Sequence, residues 1–215
     1  PLFVRVNDAM EAIGREDIDA ISPYQDRIEA IILPKTQSFD FLATLAPMIA
    51  FQNKLVPLIE TPRAIDTVTQ IAAFKDVVGL FFGAADSSAS LGCKLAWEPL
   101  LYARSKVVTA AAMFNLFTID APFFYIDDKE GLKKEAEAVK NLGFKGKAAI
   151  HPDQIDYVNE AFAPTSEEIE EGKRVLEEYQ KSGGGAVKID GQMVDEPIAE
   201  AMRLKISLAD EDKED

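Results

Sequence analysis

Six short apolar runs punctuate the first 151 residues: Leu2–Asn7, Ile28–Pro34, Lys54–Glu60, Val78–Ala84, Leu116–Ala121 and Gly146–His151. They are dense in Val, Ile, Leu and Phe rather than alternating with polar residues, the pattern of strands buried on both faces. Their starts lie 26, 26, 24, 38 and 30 residues apart, room in each gap for the helical crossover that parallel strands require. Helical patterns fill the gaps at Ser38–Phe51, Arg63–Phe74, Trp97–Phe114 (after a long fourth loop) and Lys129–Leu142, with Asp153–Phe162 after the last strand. Lys129–Leu142 is amphipathic, and Gly143 supplies its stop.

A different pattern follows. Thr165-Ser166-Glu167-Glu168 reads as a capping box that opens a long charged helix to about Lys181. Ser182-Gly183-Gly184-Gly185 breaks it and reads as a hinge. A hairpin, Val187–Ile189 and Gln192–Val194, turns at Asp190-Gly191. A final helix begins near Pro197, and the tail Asp210–Asp215 is expected to be frayed and solvated. The expected organisation is therefore an α/β portion over 1–164 and a helical extension with a hairpin over 165–215. Six β-α units suit either an open doubly wound sheet or part of a (β/α)8 barrel. A barrel usually needs about 250 residues, so this chain alone is two units short.

Composition narrows the chemistry. Lys plus Arg number 23 against 37 Asp plus Glu, a formal charge of −14. That disfavours nonspecific nucleic-acid binding and anionic membrane surfaces. No uncharged run approaches the roughly 18 residues of a membrane span, and no basic n-region with an apolar stretch marks a secretory signal. One cysteine, Cys93, permits no intrachain disulfide, so a cytoplasmic setting is expected. One histidine, His151, leaves no His/Cys zinc cluster, so any metal should be a hard, oxygen-liganded cation such as magnesium.

Three polar residues interrupt the apolar runs near their C-terminal ends, where parallel α/β folds place their sites. Arg5 lies inside VRVN, Glu60 ends LVPLIE, and Asp86 follows LFFGAA. Two carboxylates at successive strand tips can converge on one cation. Each can equally be a solvated loop residue or a helix cap. Arg5, flanked by Val4 and Val6, reads as a buried charge that needs an anionic partner. His151 before Pro152 reads as a strand-end residue that shapes the turn, and Cys93 as packing. The glycine run lacks the Lys-Ser/Thr of a phosphate loop. Trp97, Phe81-Phe82 and Phe123-Phe124 read as core.

Taken in order, VRVN (Val4–Asn7), ILPK (Ile32–Lys35), LIETPRA (Leu58–Ala64), GLFFGAADSSASLG (Gly79–Gly92), the ID-PF segment (Ile119–Phe123), GFKGKAAIHPDQI (Gly143–Ile155), NEAFAPT (Asn159–Thr165) and DGQMVDEP (Asp190–Pro197) resemble the citrate lyase beta-subunit-like family. That family comprises the citryl-CoA, malyl-CoA and citramalyl-CoA lyases, related to pyruvate-type aldolases. The resemblance implies a (β/α)8 TIM barrel with a C-terminal lid, assembled as a homotrimer or a dimer of trimers. The barrel's first two β-α units, with FVPG-type and DLED-type segments, have no counterpart here, and the chain reads as truncated or partly represented. The resemblance further implies Mg2+, with Mn2+ as a substitute, held by Glu60 and Asp86. It implies a substrate-binding set of Arg5, Glu60, Ala84 and Ala85, the last two through backbone N–H groups. Asp195, on the lid, is the implied acid/base, with Arg5 as the second catalytic residue. The implied reaction cleaves a 3-hydroxyacyl-CoA thioester to acetyl-CoA and a 2-oxo acid. Competing readings are a CoA-independent 2-oxo-acid aldolase and, should the natural protein lack the first two units, a non-catalytic subunit.

Overall fold

A computed structural model describes residues 1–49 and 54–211. Ala50 and Phe51, at the end of the helix expected over Ser38–Phe51, and residues 212–215 of the acidic tail lie outside the described residues. Contacts divide the chain into two compact units, Pro1–Val158 and Asn159–Asp215.

The first unit runs β1 (Phe3–Arg5), α1 (Ala12–Ile21), β2 (Ala30–Leu33), α2 (Phe39–Leu45), β3 (Leu55–Ile59), α3 (Pro62–Asp66), α4 (Val68–Ala72), β4 (Gly79–Phe82), α5 (Ala84–Leu91), α6 (Trp97–Met113), β5 (Phe117–Asp120), α7 (Lys129–Leu142), β6 (Gly146–Lys147) and α8 (Ile155–Phe162), the last crossing into the second unit. All six strands are parallel and stand in the order β1-β2-β3-β4-β5-β6. A doubly wound sheet reverses its order at a switch point. This one never does, which removes that alternative and leaves a singly wound half-barrel sheet. Every residue of β2 and β3 is buried, as strands covered on both faces should be. Ala30, Ile32, Val56 and Leu58 form one core cluster, against which Phe3, Val78, Phe81 and Phe117 pack.

Local chemistry sets the helix ends. The Asp128 carboxylate accepts from the Gly131 N–H at 2.9 Å and opens α7, which buries Leu132, Ala136 and Val139 on one face and stops at Gly143, φ +111°. Two expected helices are shorter than their patterns. Arg63–Phe74 is two helices, α3 and α4, broken at Thr67, whose hydroxyl donates to the carbonyls of Arg63 (2.9 Å) and Gln37 (3.1 Å). A side-chain hydroxyl that takes a helix carbonyl competes with the helix itself. Ser38–Phe51 is regular only over α2 and then tightens to a 3-10 turn at Ala46–Met48, where Pro47 withholds an N–H.

The expected strand Gly146–His151 ends at Lys147. Gln154, 1% exposed, intercepts what would have been ladder: its side chain accepts from the Ile150 N–H at 3.0 Å and donates to the Phe123 carbonyl at 2.8 Å. His151 is therefore not at a strand end. Its Nδ1 accepts from the Asp153 N–H at 3.2 Å and caps a 3-10 turn at Pro152–Gln154. The strand expected to reach Ala84 stops at Phe82 because Ala84 opens α5. Of the residues expected in the core, Phe82 and Phe123 are buried, Phe81 and Trp97 half-buried, and Phe124 exposed.

A buried ionic network ties the second half of the sheet. Arg104 of α6 donates from Nε to Asp120 Oδ1 at 2.8 Å, and Lys147 donates to Asp120 Oδ2 (2.9 Å), Glu135 Oε1 (2.7 Å) and the Ala121 carbonyl (2.7 Å). The Arg104 guanidinium also lies 5.1 Å from the Phe82 ring and 4.9 Å from the Trp97 ring. Two cations against two carboxylates leave no net charge, which is what allows the cluster to be buried.

The second unit holds α9 (Ser166–Lys181), an antiparallel hairpin of β7 (Val187–Ile189) and β8 (Gln192–Val194), and α10 (Glu196–Glu211). The capping box forms in both directions, Thr165 Oγ1 to the Glu168 N–H (3.1 Å) and Glu168 Oε2 to the Thr165 N–H (2.9 Å). Val175, Tyr179, Ile189, Val194 and Ala199 make its core. Asp190 and Gly191 both take positive φ, the turn that an Asp-Gly hairpin needs. The glycine run, read as a hinge, is a tied turn: the Tyr179 hydroxyl donates to the Gly184 carbonyl at 2.7 Å and Ser182 Oγ to the Gly185 carbonyl at 3.2 Å. No described helix is long and apolar enough to cross a membrane.

Candidate active site

The C-terminal ends of β1 to β4 bring Arg5, Lys35, Glu60 and Asp86 to the wall of one cavity of about 320 Å³, with Asn7, Asp8 and Glu11 from the β1–α1 connection. Glu60 follows β3 directly and is 5% exposed. Its Oε1 accepts from the Lys35 N–H at 2.7 Å. Gly83 permits this placement: a Cβ there would stand 2.6 Å from the Glu60 Cβ and 3.0 Å from its Oε2. The glycine is required by close approach.

Asp86 is exposed and is the third residue of α5, within the first turn of that helix rather than at a strand tip. The residue before that helix is Gly83, so no side chain caps it. The N–H groups of Ala84 and Ala85 begin the helix without i−4 partners, an arrangement suited to an anion. Arg5 ends β1 and is exposed. The flanking valines had suggested burial, but Val4 is only half-buried and the guanidinium needs no structural partner. Ser87, fully buried, has an Oγ without a hydrogen-bond partner. Cys93 is half-buried in the turn after α5. Asp195 lies in the second unit, half-buried, between β8 and α10.

Electrostatics single out Glu60. Burial is the largest influence and pushes its pKa up to about 7; the Asp86 charge and a hydrogen bond shared with Asp86 act the same way, while the Lys35 N–H and Arg5 pull it down. Glu60 and Asp86 thus stand together beside the start of α5 and the arginine of β1, two carboxylate oxygen donors of the kind a hard cation takes. Among the described residues no three His, Cys, Asp or Glu side chains cluster, and magnesium characteristically takes only one or two protein carboxylates, the rest from water and substrate.

This shift carries a stability prediction. The folded pKa of Glu60 stands above its ordinary 4.5, so between that value and about 7 the folded state binds a proton that the unfolded state does not. Metal-free stability contributed by Glu60 is present at the acid end and is lost as pH rises through this window. Glu60→Gln, which mimics the protonated group, should raise the melting midpoint over wild type in EDTA at about pH 8 and not at about pH 5. The same difference at both pH values would exclude the assignment.

Lys35 and the Arg104 network went unread in the sequence. A lysine after a proline at a strand tip was the available sign of the first. Nothing short of the topology joins Arg104, Asp120 and Lys147.

The model of the HpcH/HpaI aldolase/citrate lyase family matches residues 1–152. The chain is 31% identical to the citrate lyase subunit beta of Haemophilus influenzae over 96% of this chain and 76% of that protein. It is 30% identical to the mitochondrial citramalyl-CoA lyase of Homo sapiens over 98% and 69%. Among solved structures, CitE from Mycobacterium tuberculosis in complex with magnesium, acetoacetate and coenzyme A superposes with a TM-score of 0.84 at 31% identity, over 97% of this chain and 78% of that one. RipC from Yersinia pestis is 41% identical with a TM-score of 0.73, over 79% and 80%.

Proposed function

Since the chain belongs to the HpcH/HpaI aldolase/citrate lyase family and is a lyase, we propose that it is a magnesium-dependent carbon–carbon lyase that cleaves a 3-hydroxyacyl-CoA thioester of the citramalyl, malyl or citryl type to acetyl-CoA and a 2-oxo acid. The observation that carries the reading is the cavity in which buried Glu60 meets Asp86 and Arg5 beside the uncapped start of α5. Relatives solved with magnesium, acetoacetate and coenzyme A, and with magnesium and oxaloacetate, support the cofactor and the substrate class. The complete assembly is read as a closed (β/α)8 barrel with a lid, a cytoplasmic homotrimer or dimer of trimers.

Glu60 and Asp86 would hold the cation, which when bound supplies Lewis-acid polarisation of the substrate oxygens. Arg5 sets a fixed positive charge at the carboxylate and the neighbouring oxygen, preorganised for the charge that develops there. The N–H groups of Ala84 and Ala85 donate to the same carboxylate. As the carbon–carbon bond breaks, the hydroxyl releases its proton to water and its oxygen becomes that of the 2-oxo group. The electron pair of the broken bond passes to the acetyl-CoA methylene as an enolate; protonated Asp195, delivered by the lid of a neighbouring subunit, gives its proton to that carbon and regains one from water.

The test is turnover of citramalyl-CoA, malyl-CoA and citryl-CoA with and without EDTA. Cleavage of at least one is expected, abolished by the chelator and restored by Mg2+ or Mn2+. No cleavage of any of the three with magnesium present would sink the proposal, and cleavage that survives EDTA would remove the metal from it.

A further inference from the structure

Arg104 is 3% exposed and belongs to α6, on the helix side of the sheet. Its Nε and Nη2 reach the Asp120 carboxylate at 2.8 and 3.4 Å. Its Nη1 is equally buried and has no hydrogen-bond partner among the described residues. A buried donor left unmatched is costly, and a lysine could answer Asp120 without it. Stability does not explain the choice either, because buried ion pairs are often replaced by apolar groups with little loss. What a guanidinium adds is a flat cationic plane. That plane lies over the Phe82 ring at 5.1 Å and the Trp97 ring at 4.9 Å.

Phe82 gives the plane its purpose. It is the last residue of β4 and is fully buried, while its neighbour Phe81 packs against the cluster of Ala30, Ile32, Val56 and Leu58. Gly83 follows, its N–H bound to the Ile59 carbonyl at 3.0 Å, and Ala84 opens α5. α5 has no side-chain cap and is built of small residues, so its start depends on the strand end that leads into it. Ala84, 2% exposed, borders one small cavity with Arg104. Asp120, which holds the guanidinium, is itself held by Lys147 at 2.9 Å. The ionic network therefore ends on the β4–α5 corner, with Asp86 two residues beyond Ala84.

We infer that Arg104 is a positioning residue: its guanidinium holds Phe82 at the end of β4 against Asp120 of β5 and so fixes the Gly83–Asp86 corner, with the Ala84 and Ala85 N–H groups and the Asp86 carboxylate. The inference rests on the lyase reading above, which puts those groups to use. Arg104 touches neither substrate nor cation and acts through the corner.

The test compares two variants of the full chain by amide hydrogen exchange, thermal melting and calorimetric titration of Mg2+. Arg104→Lys keeps a charge for Asp120 and loses the plane. Arg104→Met combined with Asp120→Asn removes one charge of each sign and leaves Lys147 its pairing with Glu135. The double variant should melt within about 5 °C of wild type, because a balanced replacement of buried ions is tolerated. In both variants amides of residues 83–91 should exchange about 10-fold faster or more, with α7 unchanged. Magnesium should bind about 10–100-fold more weakly in both, the scale of losing a partner that orients a metal ligand. A larger fall in the double variant's midpoint overturns the inference, by showing that the network is kept for the fold. Wild-type exchange at 83–91 or wild-type magnesium affinity in either variant overturns it as well. A wild-type chain that neither binds magnesium nor cleaves a thioester overturns the lyase reading, and this inference with it.

Discussion

Asp86→Asn and Glu60→Gln should each yield a folded protein that no longer responds to magnesium and whose thioester cleavage falls by about 10³-fold or more, the several kcal/mol of transition-state charge stabilisation that a catalytic cation supplies. Both substitutions remove a negative charge and keep an oxygen acceptor, so neither should collapse the fold. Asp86 is exposed in the first turn of α5, where Asn forfeits only a small interaction with the helix dipole. Gln at 60 can still accept from the Lys35 N–H and is spared the cost of a buried charge beside Asp86. Calorimetric titration of Mg2+ reads the site directly. Magnesium should raise the melting midpoint of wild type and leave both variants unmoved, since only a state that binds a ligand is stabilised by it. An Asp86→Asn protein that binds Mg2+ with wild-type affinity would remove Asp86 from the ligand set.

Why the strands and the carboxylates could be read from sequence, while other features could not, comes down to how local each signal is. β2 and β3 bury every residue, so their apolar runs are unbroken. α7 shows its cap, its face and its stop within 16 residues, Asp128 to Gly143. α9 and the hairpin likewise carry their own caps and turn. α5 escaped notice because Ala84–Leu91 is built from small residues and serines, which offer no apolar stripe and also favour caps and turns. α1 escaped because it buries only Gly14 and Ile18 and opens at Glu11 with no side-chain cap. The early end of β6 depends on Gln154, a side chain that reaches back from the next turn.

At the site the same division holds. Glu60 and Asp86 are conspicuous as charges that interrupt apolar runs. The exposure of Arg5 is not readable from Val4 and Val6, because it depends on what covers the end of β1. The left-handed φ of Lys35, +54°, is a property of the path between β2 and α2. The Arg104–Asp120 pair spans 16 residues and the Lys147–Asp120 pair 27; only a parallel sheet with a crossover helix brings them together.

Asp195→Asn should separate the chemistry of proton transfer from everything else, with turnover falling by about 10²–10⁴-fold while folding and magnesium binding persist. The competing role for Asp195 is to start α10, since aspartate is a favoured cap and Pro197 follows it. The backbone is placed for that: the Asp195 carbonyl accepts from the Ala199 N–H at 2.9 Å, the first such bond of α10. The carboxylate, however, takes part in no hydrogen bond or ion pair among the described residues, whereas the neighbouring Glu196 is bound by Tyr179 at 3.0 Å and by Arg203 at 2.7 Å. Glu196 secures this end of the second unit and leaves the Asp195 oxygens free. Asparagine caps a helix about as well as aspartate, so a capping role forecasts unchanged turnover and an unchanged melting midpoint. An acid/base role forecasts the unchanged midpoint with turnover lost, because an amide cannot exchange the proton. It also forecasts that the variant fails to exchange the methyl protons of acetyl-CoA for deuterium in the presence of magnesium and the 2-oxo acid, the half-reaction in which the enolate forms without a completed turnover. Wild-type exchange in Asp195→Asn would return the residue to the role of a helix cap and place the acid elsewhere.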